Sequence, residues 1–318
     1  MRIKKSWMAT LALPFILSAT PSAITSATAS GLTVPRPFGH TCALQSYGVR
    51  FCPTAKLSQR VPSFDGAPLD VDVTLPARGT GPWPTIIMAS PTEGDKRSYE
   101  TTKSSGADNF GLGYSNVWFA DRGYAVITYS LRGTFGSCGS SQSRQGYPAC
   151  NPEQFEFGDQ RYDAHDAQYL LGVLVDQKVA DPRALGMTGM SLGSIETLEV
   201  ALLKNHIRKL DGGYAPWRSP KGIPLHLSAA YSNASIPDVL DAAIPNGRLL
   251  TFDPATAGND HSPIGVPKLS FPTVFALGTS PAFSYWDIPT SPHGFNLPGD
   301  VAIAEASPPG NPLAAAFA

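Results

Sequence analysis

Five residues, Gly189-Met190-Ser191-Leu192-Gly193, constrain this chain more than any other stretch. They follow a short apolar run, Ala184 to Thr188, and open a helical pattern, Ser194 to Lys204. A serine on a tight strand-to-helix turn needs glycine two residues to each side, because a Cβ there would collide with the neighbouring strand or helix. The turn lifts the hydroxyl clear of the backbone at the carboxyl edge of a sheet, and the helix behind it aims its amino-terminal N–H groups at any developing negative charge. Such a serine is built to attack carbonyl carbon. The plainer reading is a structural serine in a tight turn, and the strand and helix on its two sides favour the chemical one.

The first residues read as a secretory signal peptide, residues 1–29. Arg2, Lys4 and Lys5 precede an apolar run from Trp7 to Leu17, and small residues follow, ending in Ala27-Thr28-Ala29. The run is too short to span a bilayer, and no later stretch is long enough, so the expectation is a secreted chain without a membrane span after signal removal. The mature chain carries 21 basic against 25 acidic residues, which gives no footprint for nucleic acid. The basic cluster Lys204, His206, Arg208 and Lys209 is expected at the end of the elbow helix, complementing its dipole. Four cysteines in an exported chain favour two disulfides. Of the three possible connectivities, closeness in sequence favours Cys42 with Cys52 and Cys138 with Cys150. Zinc ligation would need another spacing and histidine partners, and neither a metal nor a cofactor is expected.

The remainder reads as one large domain without a dividing linker. Asp65-Gly66 is a hairpin signal, and the alternating run Leu69 to Leu75 reads as a half-buried antiparallel strand. Thr85 to Ala89 and Tyr124 to Tyr129 are continuous apolar runs that suit central strands, with a helix end at 116–122 between them. A glycine-rich loop, Arg132 to Ser137, is followed by a helix from Asp159 to Gln177 whose apolar face is Tyr162, Tyr169, Leu170, Val173 and Leu174. Leu225 to Tyr231 gives one more strand. Beyond it the pattern weakens, and only Thr273 to Leu277 passes for a strand. This alternation indicates an α/β, doubly wound, mostly parallel sheet.

Several segments, in order, carry a resemblance: Asp65-Gly66-Ala67-Pro68-Leu69-Asp70-Val71, Arg122-Gly123-Tyr124-Ala125-Val126, Tyr129-Ser130-Leu131-Arg132-Gly133, Asp181-Pro182-Arg183 and the elbow itself. The chain resembles the cocaine esterase and X-Pro dipeptidyl-peptidase family of serine hydrolases, particularly its exported bacterial members, from about residue 40 to about residue 278. The resemblance implies an α/β-hydrolase sheet with a helical cap inserted after the strand near 225–231. It also implies action on small-molecule esters or on peptide or amide bonds. Ser191 falls at the family's nucleophile, the Leu192 N–H at one oxyanion donor, and the loop after Ala89 at the other. There the chain has Ser90-Pro91-Thr92-Glu93-Gly94 where many relatives carry a histidine-glycine pair. Proline cannot donate, so the donor is assigned to the Thr92 N–H.

The larger departure is at the carboxyl end. The family supplies its acid and histidine after two further strands, and the segment that would supply them reads as missing. The expected layout is a hydrolase domain over 30–278 and a divergent tail over 279–318. Of six histidines, His40, His165 and His206 precede the elbow or flank its helix, with His165 on the polar face of its own helix, and His226 lies inside a strand. His293, on a turn with Asp287 six residues earlier, is the first candidate base and Asp287 its acid; His261 is the second. Asp238 reads as an ordinary helix start. A catalytically silent relative that keeps the fold and a binding role is the competing expectation, and oligomeric state stays open.

Overall fold

The computed structural model describes residues 35–92, 94–103 and 113–236. All belong to the compact unit Val34–Ala318; the unit Met1–Thr33, with the signal-peptide reading, lies outside them. So do the tail, the cap beyond residue 236, Thr273 to Leu277, Asp238, His261, Asp287, His293 and Glu93.

The strands are β1 (Ala43–Leu44), β2 (Val49–Cys52), β3 (Val61–Pro62), β4 (Pro68–Leu69), β5 (Val71–Pro76), β6 (Trp83–Ala89), β7 (Ala125–Tyr129), β8 (Ala180–Met190), β9 (His206–Arg208), β10 (Tyr214–Pro216) and β11 (Ala229–Asn233). The helices are α1 (Asn116–Ala120), α2 (Ser141–Arg144), α3 (Asp163–Asp176) and α4 (Leu192–Leu203). Seven strands form the main sheet in the order β1-β2-β5-β7-β6-β8-β11. The half from β7 to β11 is parallel and the half from β1 to β7 is antiparallel.

Apolar residues alternate between the two faces. Val71, Val73, Leu75, Ile87 and Ile127 join the core beneath α3 and α4, whereas Met88 and Val126 join a smaller core with Val117 and Ala120 of α1. Helices therefore cover both faces, the doubly wound α/β-hydrolase arrangement. Each fully buried Ile, Leu or Met contributes about 1.5–3 kcal/mol.

The Asp65-Gly66 signal forms the turn between β3 and β4, closed by Ser63 N–H to Ala67 O at 2.8 Å, with Gly66 at φ 97°. Five expectations need correction. β5 is buried on both faces, not one. Its polar residues have buried partners, since Lys96 Nζ donates to Asp72 at 2.6 Å and Asn116 Nδ2 to Thr74 Oγ1 at 2.9 Å. α3 begins at Asp163 rather than Asp159, because Asp163 Oδ2 accepts from the N–H groups of Gly158 and Asp159 and so closes the preceding turn. Its inward face includes Ala164, Ala167, Leu171 and Val175, leaving Tyr169 and Val173 partly exposed. The last strand starts at Ala229: Leu225, Leu227 and Ser228 instead donate to Trp217 O, Lys204 O and Leu185 O. Finally, His206 to Arg208 form β9 of a hairpin with β10, and Arg208 lies over the Tyr214 ring, so that cluster does not sit together at the helix end. Cys42 bonds to Cys52 and Cys138 to Cys150. No helix among the described residues is long and apolar enough to cross a membrane.

Candidate active site

Ser191 stands between the last residue of β8 and the first of α4, at φ 55° and ψ −121°. A non-glycine residue in the left-handed half of backbone space costs on the order of 1–3 kcal/mol and persists only where its surroundings enforce it. They do so here. Ser191 N–H donates to Asn233 O of β11 at 3.2 Å, while its carbonyl accepts from Ser194 N–H and Ile195 N–H and from Ser194 Oγ at 2.7 Å. The flanking glycines are steric necessities: a Cβ on Gly189 would lie within the backbone of Gly193, and one on Gly193 within the carbonyls of Ala89 and Ser90.

That second contact brings the loop after β6 against the first turn of α4. Ser90 and Thr92 are fully buried, and Gly94 N–H closes the loop on Pro91 O at 3.1 Å. Leu192, whose N–H is the other expected donor, opens α4 with its side chain in the core. The two segments expected to carry oxyanion donors thus flank one turn.

Buried charges ring this edge of the sheet. Arg132, in the loop after β7, donates to Asp166 at 2.6 and 2.9 Å, to Asp65 at 2.7 and 3.0 Å, and to Glu153 at 2.7 Å. Burial alone would lower its pKa, and these carboxylates more than reverse that. Burial pushes Glu153 up to about 7 despite the guanidinium. Asp65 shows the opposite balance: burial would raise it, and its two-point bond to Arg132 holds it below the usual range. Sequence reading singled out the Arg132 loop and, as a hairpin signal, Asp65, but did not join them.

Between α3 and α4 lies a second group of acids. Asp163 is pushed up to about 8 and Glu199 to about 9, in each case first by burial and then by neighbouring carboxylates. Glu196, on the elbow helix, accepts from the Tyr129 hydroxyl, and burial holds it well above the usual carboxylate range. Asp163 Oδ1, Glu196 Oε2 and Glu199 Oε2 have no hydrogen-bond partner among the described residues. No group of side chains among the described residues could hold a metal ion. Glu199 borders a polar cleft of about 530 Å³, shared with Asp159, Arg161, Arg208 and Tyr214.

Four histidines are described, and their contacts are with other parts of the chain or with solvent. His40 Nε2 lies 2.9 Å from Gln59 O. His165 is not on a polar helix face; its ring stacks on Phe64 with centroids 3.7 Å apart, and burial lowers it to about 4. His206 and His226 are exposed, the latter ahead of β11 rather than inside a strand.

The model of the X-Pro dipeptidyl-peptidase (S15 family) matches residues 65–211, just under half of the chain. No curated protein matches. Among solved structures, the chain is similar to a CocE/NonD family hydrolase from Staphylococcus aureus (16% identity, 48% of this chain and 25% of that one, TM-score 0.33). A puromycin-hydrolyzing peptidase of Mycobacterium tuberculosis gives 23% identity over 48% of this chain and 21% of that one, TM-score 0.32. A bacterial heroin esterase gives 20% identity, 51% and 42% coverage and TM-score 0.29. The chain thus spans less than half of each of these proteins. Residues 65–211 hold the hairpin, the arginine-glycine loop and the whole strand-turn-helix of Ser191, and over this span the chain resembles the X-Pro dipeptidyl-peptidase (S15) family of α/β-hydrolases.

Proposed function

We propose that the protein is a secreted serine hydrolase that cleaves ester or peptide bonds through an acyl-enzyme at Ser191. The observation that carries this reading is the backbone of Ser191, held at φ 55° between two glycines that admit no Cβ. The hydroxyl attacks the substrate carbonyl, the oxyanion is received by the N–H groups of Leu192 and Thr92, and water releases the acid. Each such donor in other hydrolases accounts for about 2.7–4 kcal/mol of barrier reduction. The general base is assigned to His293, oriented by Asp287, with His261 as second candidate. In support, His40 meets Gln59 O and His165 stacks on Phe64, so two of the four described histidines are engaged with other groups.

The test is labelling of the purified protein by a fluorophosphonate probe, beside Ser191→Ala, His293→Ala and His261→Ala. Labelling lost in Ser191→Ala and in one histidine variant supports the mechanism and names the base. A folded wild-type protein that takes no label overturns it, in favour of a silent hydrolase fold with a binding role.

A further inference from the structure

The loop after β6 is tied down at both of its ends by the same short segment, the first two residues after β7. At its start, the buried Ser90 Oγ accepts from Leu131 N–H at 3.3 Å. At its end, Ser130 Oγ accepts from Lys96 N–H at 3.2 Å. Both serines are wholly inaccessible to solvent, so no water replaces either bond if it is lost. Lys96 is itself anchored, its ammonium bridging Asp70 at 2.7 Å and Asp72 at 2.6 Å on and beside β5. Ser90 also presents its carbonyl to the space beside Gly193, where a Cβ has no room. One residue therefore touches the elbow helix with its main chain and grips the neighbouring strand's exit with its side chain.

We propose that Ser90 and Ser130 are positioning residues, a two-ended clamp that sets the height of the Thr92 N–H against Ser191. The clamp rests on the reading of Ser191 as nucleophile and Thr92 as oxyanion donor. Its physical logic is that an oxyanion donor works only within a few tenths of an ångström of its place, and a loop of this length held at one end would drift by more. Proline at 91 fixes one φ angle but no distance, so the distance comes from the hydroxyl bonds at either end. Ser219 gives a control. Its buried hydroxyl donates to Asp176 Oδ1 at 2.6 Å and accepts from Ile223 N–H at 3.1 Å, and neither bond touches the loop after β6 or the two residues after β7.

The experiment measures kcat and KM for p-nitrophenyl butyrate, the rate of fluorophosphonate labelling, and the thermal midpoint, for wild type, Ser90→Ala, Ser130→Ala and Ser219→Ala. The expected result is a fall in kcat and in labelling rate of about ten- to a hundredfold in the two clamp variants, with KM within about twofold. Ser219→Ala lowers the midpoint comparably and keeps the wild-type kcat. Clamp variants that label and turn over like wild type, or like Ser219→Ala at equal midpoint, overturn the clamp and leave the nucleophile standing. A wild-type protein that neither labels nor turns over removes the nucleophile, and the clamp with it.

Discussion

Two groups of acids flank the same helix, and they are held by different means. Asp65, Glu153 and Asp166 converge on one guanidinium, with five hydrogen bonds between them. Asp163, Glu196 and Glu199, one helix face away, have no ion-pair partner among the described residues, and each keeps an oxygen without a hydrogen bond there. Arg132 makes its three carboxylates a structural tie between the β3–β4 turn, the loop after the Cys138–Cys150 disulfide, and α3. The α3–α4 acids are kept neutral by bound protons, so their contribution to stability is set by the solution rather than by the sequence alone.

Removing the cation is the strongest way to break the contrast. Arg132→Met leaves the buried carboxylates of Glu153 and Asp166 facing each other and the partly exposed Asp65, and is expected to cost about 3–5 kcal/mol, read from urea unfolding. A cost under about 1 kcal/mol would show that protons hold this cluster too. Second, opening the disulfide with Cys138→Ser and Cys150→Ser together is expected to cost about 2–4 kcal/mol, and to loosen Glu153 from Arg132. If the same loss appears in the Glu153→Gln background with no coupling between the two changes, the disulfide does not help place Glu153.

The third test is pH. Asp163 at about 8 and Glu199 at about 9 bind protons in the folded chain that the unfolded chain has released by about pH 5. The stability they contribute is full below about pH 4, is lost progressively once the unfolded chain ionises, and levels off only past 8 and 9, so the thermal midpoint should still be falling between pH 7 and 9. His165 works in the opposite sense: lowered to about 4 when folded, it costs stability as pH falls from 6.5 towards 4, outside that window. A midpoint that is flat or rising from pH 7 to 9 would contradict the proton account. The smallest effect is the sharpest in meaning. Glu199→Gln keeps shape and removes the titration; it should be stabilising by about 1 kcal/mol more at pH 9 than at pH 5, and should flatten the slope between them.

What could be read from the sequence follows the range of the forces involved. The elbow was legible because its requirement is local, two glycines and a serine between a strand and a helix. The disulfides and the β3–β4 turn were legible for the same reason. The Arg132 tie was not, since its partners lie 67, 21 and 34 residues away and no spacing rule joins them. The α3–α4 acids gave no sign of their burial: Glu196 and Glu199 sit at helical spacing that ordinarily marks a solvated face. The fold buries them, and the inward face of α3 is rotated accordingly. Leu225 to Ser228 looked like strand because they alternate, yet their N–H groups are spent on three different partners before β11 begins. Ser90 and Ser130 gave no signal, a lone serine being uninformative until its neighbour across the sheet is known.

The contact of Gly193 with Ala89 and Ser90 also bears on how this chain can be altered. Within the turn itself, positions 189 and 193 admit no side chain, 191 is the hydroxyl, and Leu192 is committed to the core. Met190, half-buried and paired in register with Asn233 of β11, is the one position left. Any side-chain change made inside the turn without displacing the backbone or the core therefore passes through a single position; wider changes have to come from the loops around it.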